Sequence, residues 1–339
     1  MVIYVKNFKI SKIYYEPDVL NYELGKELLE KYKDIPKVKI ESHNNIPELR
    51  ANSNKDFVKM KSYLIIGVRK SLKWVPNNKI SDYLVPYTSS GCSAMCLYCY
   101  LVCNYNKCSY LRIFVNREQI MENIIKKLEK SDTDLVLEIG SNSDLILEEM
   151  FTGNLTYTIK EFISKTSKGK LTFPTKFGMV DSILKLKHDK RIIPRVSVNP
   201  KSIIQTIELG TSNLDERINA INKLVHAGYP VGILIAPVIF TENWKKLYKD
   251  LIIYLNKKLS EKAKETIFFE VIFMTYSFVH NAINTEAFPN SPILFSKELM
   301  TGRGKGKYTY KNELKAEGTL YISSLLKKYF KDNEIKYIV

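Results

Sequence analysis

Cysteine and histidine are scarce in this chain, and long apolar runs are missing. Five cysteines in 339 residues are too few for a disulfide framework. The four histidines, His43, His188, His226 and His280, lie apart from the cysteines and build no local metal site with them. No apolar stretch reaches the ~18 residues that suggest a membrane span. The first residues carry no secretory pattern. Together these absences point to a reducing, cytoplasmic setting. Acidic residues are also in deficit, 36 against 52 basic ones, for a net charge of +16. Such an excess suits a partner with a phosphate backbone. It is mostly lysine beside abundant isoleucine and asparagine, which an A+T-rich coding sequence also produces.

Three of the five cysteines fall within eight residues, as Cys92-Ser-Ala-Met-Cys96-Leu-Tyr-Cys99. This C-x3-C-x2-C spacing suits a four-iron cluster held by three thiolates. Four thiolates would fill every iron. Three leave one iron for a small molecule, as a catalytic metal keeps an open position. Two plainer readings stand beside it. Cys103 or Cys108 could complete a zinc site, and free cysteine also packs as a small hydrophobe.

Six short apolar runs recur through the middle: Tyr83–Thr88, Asp134–Ile139, Leu171–Thr175, Ile192–Val198, Val231–Ile239 and Ile267–Phe273. Helix-period segments lie between most of them, an alternation that predicts βα units and a parallel sheet. Asn116 with Gln119 has the form of a capping box before a helix. A second helix is expected from Leu214 to Ala227, stopped by Gly228 and Pro230. In parallel βα folds chemistry sits at the C-terminal ends of strands. That rule collects the cysteine loop, the Gly140–Asp144 loop, Lys176, Ser197, Asn199 and Ala236-Pro237 on one rim. Three segments are expected: an N-terminal α/β extension over 1–80, a barrel over 81–275, and a C-terminal segment over 276–339. The last holds Gly302, Gly304 and Gly306 among Arg303, Lys305 and Lys307, and reads as a basic hairpin able to contact a nucleic-acid backbone, or as a plain solvated hairpin.

The chain resembles the spore photoproduct lyase family of radical S-adenosylmethionine (SAM) enzymes. The resemblance begins at Tyr14-Tyr-Glu-Pro and Gly67-Val-Arg-Lys. It runs through Gly91-Cys-Ser-Ala-Met-Cys-Leu-Tyr-Cys-Tyr-Leu and Tyr110-Leu-Arg-Ile-Phe-Val-Asn. Phe173-Pro-Thr-Lys-Phe, Leu209-Gly-Thr-Ser, Ile235-Ala-Pro and Lys307-Tyr-Thr-Tyr continue it. It implies an α/β fold, a partial (β/α)6 barrel with an N-terminal extension and a C-terminal β-hairpin. It also implies one [4Fe–4S] cluster on Cys92, Cys96 and Cys99, with SAM on the open iron. Tyr100, Ser143, Asp144, Lys176, Ser197 and Ala236 are then the SAM-binding residues, with Lys176 facing the carboxylate. A 5′-deoxyadenosyl radical would take hydrogen from C6 of 5-thyminyl-5,6-dihydrothymine in DNA, and two thymines would be restored. Tyr98 and Tyr100 would relay the radical. Arg303, Lys305 and Lys307 would meet DNA. A flavodoxin or ferredoxin would supply electrons to a monomer.

One position departs from the family pattern. The family has Cys-Thr-Ser-Asp after the second strand, and that cysteine returns a hydrogen atom to the product. This chain has Ser141-Asn-Ser-Asp, and a hydroxyl O–H bond is much stronger than a thiol S–H bond. Three accounts stand open: a deliberate replacement, Cys103 or Cys108 as donor, or a paralogue acting on RNA, a peptide or a small molecule. A non-enzymatic iron–sulfur or zinc protein that binds nucleic acid is the rival from outside enzymology.

Overall fold

A computed structural model describes residues 9–103 and 110–339, apart from the side chain of Cys103. Cys108 and the side chain of Cys103, the alternative zinc ligands or hydrogen donors, therefore lie outside the described residues.

The largest sheet is an eight-stranded, curled half-barrel. Its members in chain order are β4 (Val75–Pro76), β5 (Tyr83–Leu84), β9 (Val136–Glu138), β10 (Lys170–Thr175), β11 (Ile192–Val198), β13 (Gly232–Val238), β14 (Phe268–Phe273) and β18 (Ile335–Ile338). They lie in the order β18-β14-β13-β11-β10-β9-β5-β4. Every pairing from β5 round to β18 is parallel, and only β4 runs antiparallel to β5. Parallel strands covered by helices are buried on both faces, which explains their near-continuous apolar runs.

The first run is shorter as a strand than its composition suggests. Only Tyr83 and Leu84 pair in the barrel. Pro86 has no N–H to continue a ladder. The chain then leaves for a second sheet, where β6 (Ser89–Ser90) pairs antiparallel with β8 (Leu111–Phe114). That sheet has the order β2-β1-β3-β8-β6, with β1 (Lys12–Tyr15), β2 (Lys37–Lys39) and β3 (Tyr63–Gly67) from the N-terminal extension. Strands thus cross both expected boundaries. β6 and β8 join the N-terminal sheet, while β4 and β18 complete the barrel sheet.

The helix Leu214–His226 buries Leu214, Ile218, Ile221, Leu224 and Val225 along one stripe. Each such side chain contributes roughly 1.5–3 kcal/mol through apolar burial. Asn213 Oδ1 accepts from Glu216 N at 2.9 Å, and Glu216 Oε2 accepts from Asn213 N at 3.0 Å. This reciprocal cap starts the helix. The cap expected at Asn116 does not form. Asn116 Oδ1 instead accepts from Arg69 N at 2.9 Å, and its Nδ2 donates to Arg69 O and Gln119 Oε1. The backbone of Arg69 outcompetes the helix N-terminus for this amide.

Two smaller sheets finish the molecule. β7 (Met95–Cys96) pairs with β12 (Glu208–Leu209), tying the cysteine loop to the barrel. β15 (Thr275–Ser277), β17 (Lys307–Tyr310) and β16 (Met300–Gly302) form a three-stranded antiparallel sheet. The expected hairpin is β16–β17.

Candidate active site

The strand ends open into one cavity of about 510 Å³. Cys92, Cys96, Cys99, Tyr98, Tyr100, Ser141, Ser143, Asp144, Lys176, Ser197 and Ala236 all line it. Residues spread over some 140 positions meet there because parallel strands bring their C-terminal ends to one rim. Arg303, Lys305 and Lys307 are elsewhere, exposed at the hairpin tip.

The three cysteines carry free thiols. Burial, with Asp144 nearby, pushes the Cys92 thiol up to about 12. Burial and Glu208 push Cys96 up as well. Thiolates there need a metal partner, whose binding releases the proton. Among the described residues no three Cys, His, Asp or Glu side chains gather closely enough to hold a single metal ion. A cluster makes a different demand, since each of its thiolates meets a different iron. Three thiols spread round the wall of one cavity fit that demand. Lys61 Nζ holds the loop by donating to Cys92 O at 2.7 Å.

Lys176 is held by three acceptors on the cavity wall. Its Nζ donates to Ser197 Oγ at 2.6 Å, Ala236 O at 2.8 Å and Glu208 Oε1 at 3.0 Å. The backbone N–H of Lys176 donates to Asp144 Oδ2 at 2.8 Å. The other oxygen of Asp144 accepts from Thr175 Oγ1 and Leu147 N. Burial raises the Asp144 carboxyl even against these donors. Asp144 thus sets the backbone that carries Lys176 and caps the helix Leu145–Thr152.

Glu208, which the sequence reading passes over, organises this wall. It is fully buried, and Arg217 Nη2 lies 2.6 Å from its Oε2 as a close ion pair without an aligned hydrogen bond. Tyr98 Oη and Asn199 Nδ2 donate to Oε1. Burial alone would raise this carboxyl, but Lys176 and Arg217 outweigh it and hold it at about 2. Tyr98 is pushed the other way, by burial and by the charge of Glu208. Only the pairing of β12 with β7 brings Glu208 to Tyr98, so no local motif announces it.

Tyr100 is 53% exposed, and its hydroxyl donates to the carbonyl of Ser141. Tyr100 and Ser141, two of the expected site residues, are therefore adjacent. Ser143 Oγ lies 2.6 Å from Ser89 Oγ, which also bonds Glu148 Oε2. Burial raises the Glu148 carboxyl to about 7. At the floor of the cavity Arg195 bridges Glu138 and Glu270, with Tyr337 donating to Glu270.

A half-barrel with a three-cysteine loop at the C-terminal rim of its strands defines a radical SAM enzyme. The family model for spore photoproduct lyase matches residues 8–339. A spore photoproduct lyase from Bacillus subtilis is 31% identical over 333 residues, covering 96% of this chain and 97% of its own. One from Geobacillus sp. is 29% identical, covering 98% and 99%. A solved spore photoproduct lyase variant with bound AdoMet and dinucleoside spore photoproduct superposes with a TM-score of 0.90 at 28% identity. It covers 98% of this chain and 99% of its own. Another, complexed with dinucleoside spore photoproduct, gives the same TM-score. The chain belongs to the spore photoproduct lyase family.

Proposed function

We propose that this enzyme repairs 5-thyminyl-5,6-dihydrothymine in DNA, using a [4Fe–4S] cluster and SAM in the cavity described. The observation that carries the reading is the meeting of Cys92, Cys96 and Cys99 with Tyr98, Tyr100, Ser141, Lys176 and Ser197 round one space. Its volume suits a cofactor and two bases rather than a macromolecule. When bound, the cluster and SAM supply abstraction of a hydrogen atom from carbon.

The chain's own residues do the rest. Cys92, Cys96 and Cys99 hold the cluster. Lys176 offers a fixed cation to the SAM carboxylate through a charge-assisted bond. Glu208 and Asp144 keep that lysine in place. Ser143 and Ser197 offer hydroxyls, and Ala236 backbone atoms to adenine. The apolar walls exclude water, which protects radical chemistry from side reactions. Tyr98 and Tyr100 are the radical-relay pair. Arg303, Lys305 and Lys307 neutralise DNA phosphates. A flavodoxin or ferredoxin serves as electron donor, and the chain acts as a cytoplasmic monomer.

Ser141 supports a modified last step. Its O–H bond is too strong to return hydrogen to a carbon radical, so bridge cleavage proceeds while hydrogen return is impaired. Anaerobic reconstitution tests the reading. Iron with acid-labile sulfide should appear and be lost in Cys96→Ala, and lesion dinucleoside should be consumed with SAM and reductant. Zinc without sulfide, or lesion left unchanged by both the wild-type protein and Ser141→Cys, would overturn it.

A further inference from the structure

Phe278 is 61% exposed although it stands beside packed aromatic rings. It opens the helix Phe278–Ala287 directly after β15. Its ring meets Tyr308 edge-on at 5.2 Å between centroids, and Tyr308 meets Phe295 at 4.7 Å. The backbone N–H of Phe278 donates to Gly306 O at 3.1 Å. A Cβ on Gly306 would lie 3.0 Å from the Phe278 ring. The hairpin tip is therefore seated against Phe278, beside the pairing of Ser277 with Lys307.

The tip itself is built to stay open. Gly304, Lys305 and Gly306 have φ of +81°, +51° and +67°. Arg303 N donates to Lys307 O at 2.8 Å, and Lys307 N to Gly304 O at 3.0 Å. This tight turn leaves Arg303, Lys305 and Lys307 exposed, on either side of the Gly304 and Gly306 that bound the tip. Nothing lies within 4 Å of a Cβ placed on Gly302 or Gly304, so that side is clear. Three exposed cations on a tip that packs against a largely exposed aromatic residue match a polyanion that also presents flat π surfaces. Thr275 lines the cavity and precedes Phe278 by three residues, at most about 11 Å of chain. Stacked bases rise about 3.4 Å per strand, so this is a reach of one to three nucleotides.

We propose that Phe278 stacks on an unpaired base beside the lesion while the hairpin cations hold the flanking phosphates. The inference rests on the DNA-repair reading and gives the lesion's neighbour a docking residue. Base–aromatic stacking is sequence-tolerant, as a repair enzyme requires, because every base has a π face.

Fluorescence anisotropy with a labelled oligonucleotide carrying one lesion tests it, over a salt series. Phe278→Ala should weaken binding about ten- to a hundred-fold. Its line of log affinity against log salt should stay parallel to that of the wild-type protein. Phe278→Leu, which keeps apolar packing on Gly306 but has no ring, should be similarly weak. Phe278→Tyr should bind like the wild-type protein. Lys305→Ala should instead lower the salt slope by about 0.7–0.9. Binding by the Ala and Leu variants within about two-fold of wild type would overturn the proposal, since stacking is worth more than that. So would a Tyr variant as weak as Ala, which would mark a packing role or a protein partner. Oligonucleotide binding that follows this pattern while wild-type enzyme leaves the lesion dinucleoside intact would support stacking and overturn the repair reading.

Discussion

Glu148 shows how one buried carboxyl makes the site's scaffold sensitive to pH. Burial raises it to about 7 in the folded protein, from an ordinary value of 4.5. Between those values the folded state binds a proton that the unfolded chain does not. Stability therefore falls as pH rises through that window and levels off above it, a loss of about 3 kcal/mol for this group. The thermal midpoint should drop from pH 5 to pH 8 in the wild-type protein, and the drop should shrink in Glu148→Gln. Glu208 behaves in the opposite sense, its carboxyl held at about 2 by Lys176 and Arg217 against burial. Glu208→Ala leaves Arg217 buried without its carboxylate. Denaturant unfolding should show a loss of about 3–5 kcal/mol, the cost of breaking a buried pair on one side. The wall that carries Lys176 should loosen with it.

At the scale of elements, the helix Leu214–His226 depends on its N-terminal cap. Asn213→Ala removes the acceptor for Glu216 N and should cost about 1 kcal/mol by equilibrium unfolding. This helix also delivers Arg217 to Glu208, so its start is linked to the site. Local pattern made it legible: the apolar stripe, Gly228 and Pro230 bound it within a residue of its observed end. The same kind of pattern failed at Asn116, whose amide was claimed by Arg69 from another part of the chain. It failed also at Tyr83–Thr88, where Pro86 and the turn to the second sheet leave a two-residue strand. β4 and β18 were not legible as barrel strands, because β4 is only Val75–Pro76 and the partner of β18 lies far off in sequence, at Phe268–Phe273.

The whole molecule is a half-barrel whose rim gathers distant loops. Alternating apolar runs are enough to predict that rim, and the rim rule is enough to collect Ser143, Lys176, Ser197 and Ala236 with the cysteines. What pattern cannot supply is the charge that sets these residues. Glu208 lies in an unremarkable Ile-Glu-Leu-Gly segment and acts only once β12 pairs with β7. The last step proposed above also belongs to this scale, since Tyr100 on one loop reaches the carbonyl of Ser141 on another. The most direct measurement is product analysis after anaerobic turnover of the lesion dinucleoside with SAM and reductant, in wild-type protein and Ser141→Cys. The wild-type protein should consume lesion and give trapped adduct with little thymine, and Ser141→Cys should shift the product to thymine by an order of magnitude or so. Equal and efficient thymine release by both proteins would contradict the account of residue 141, and unchanged lesion in both would contradict the repair function itself.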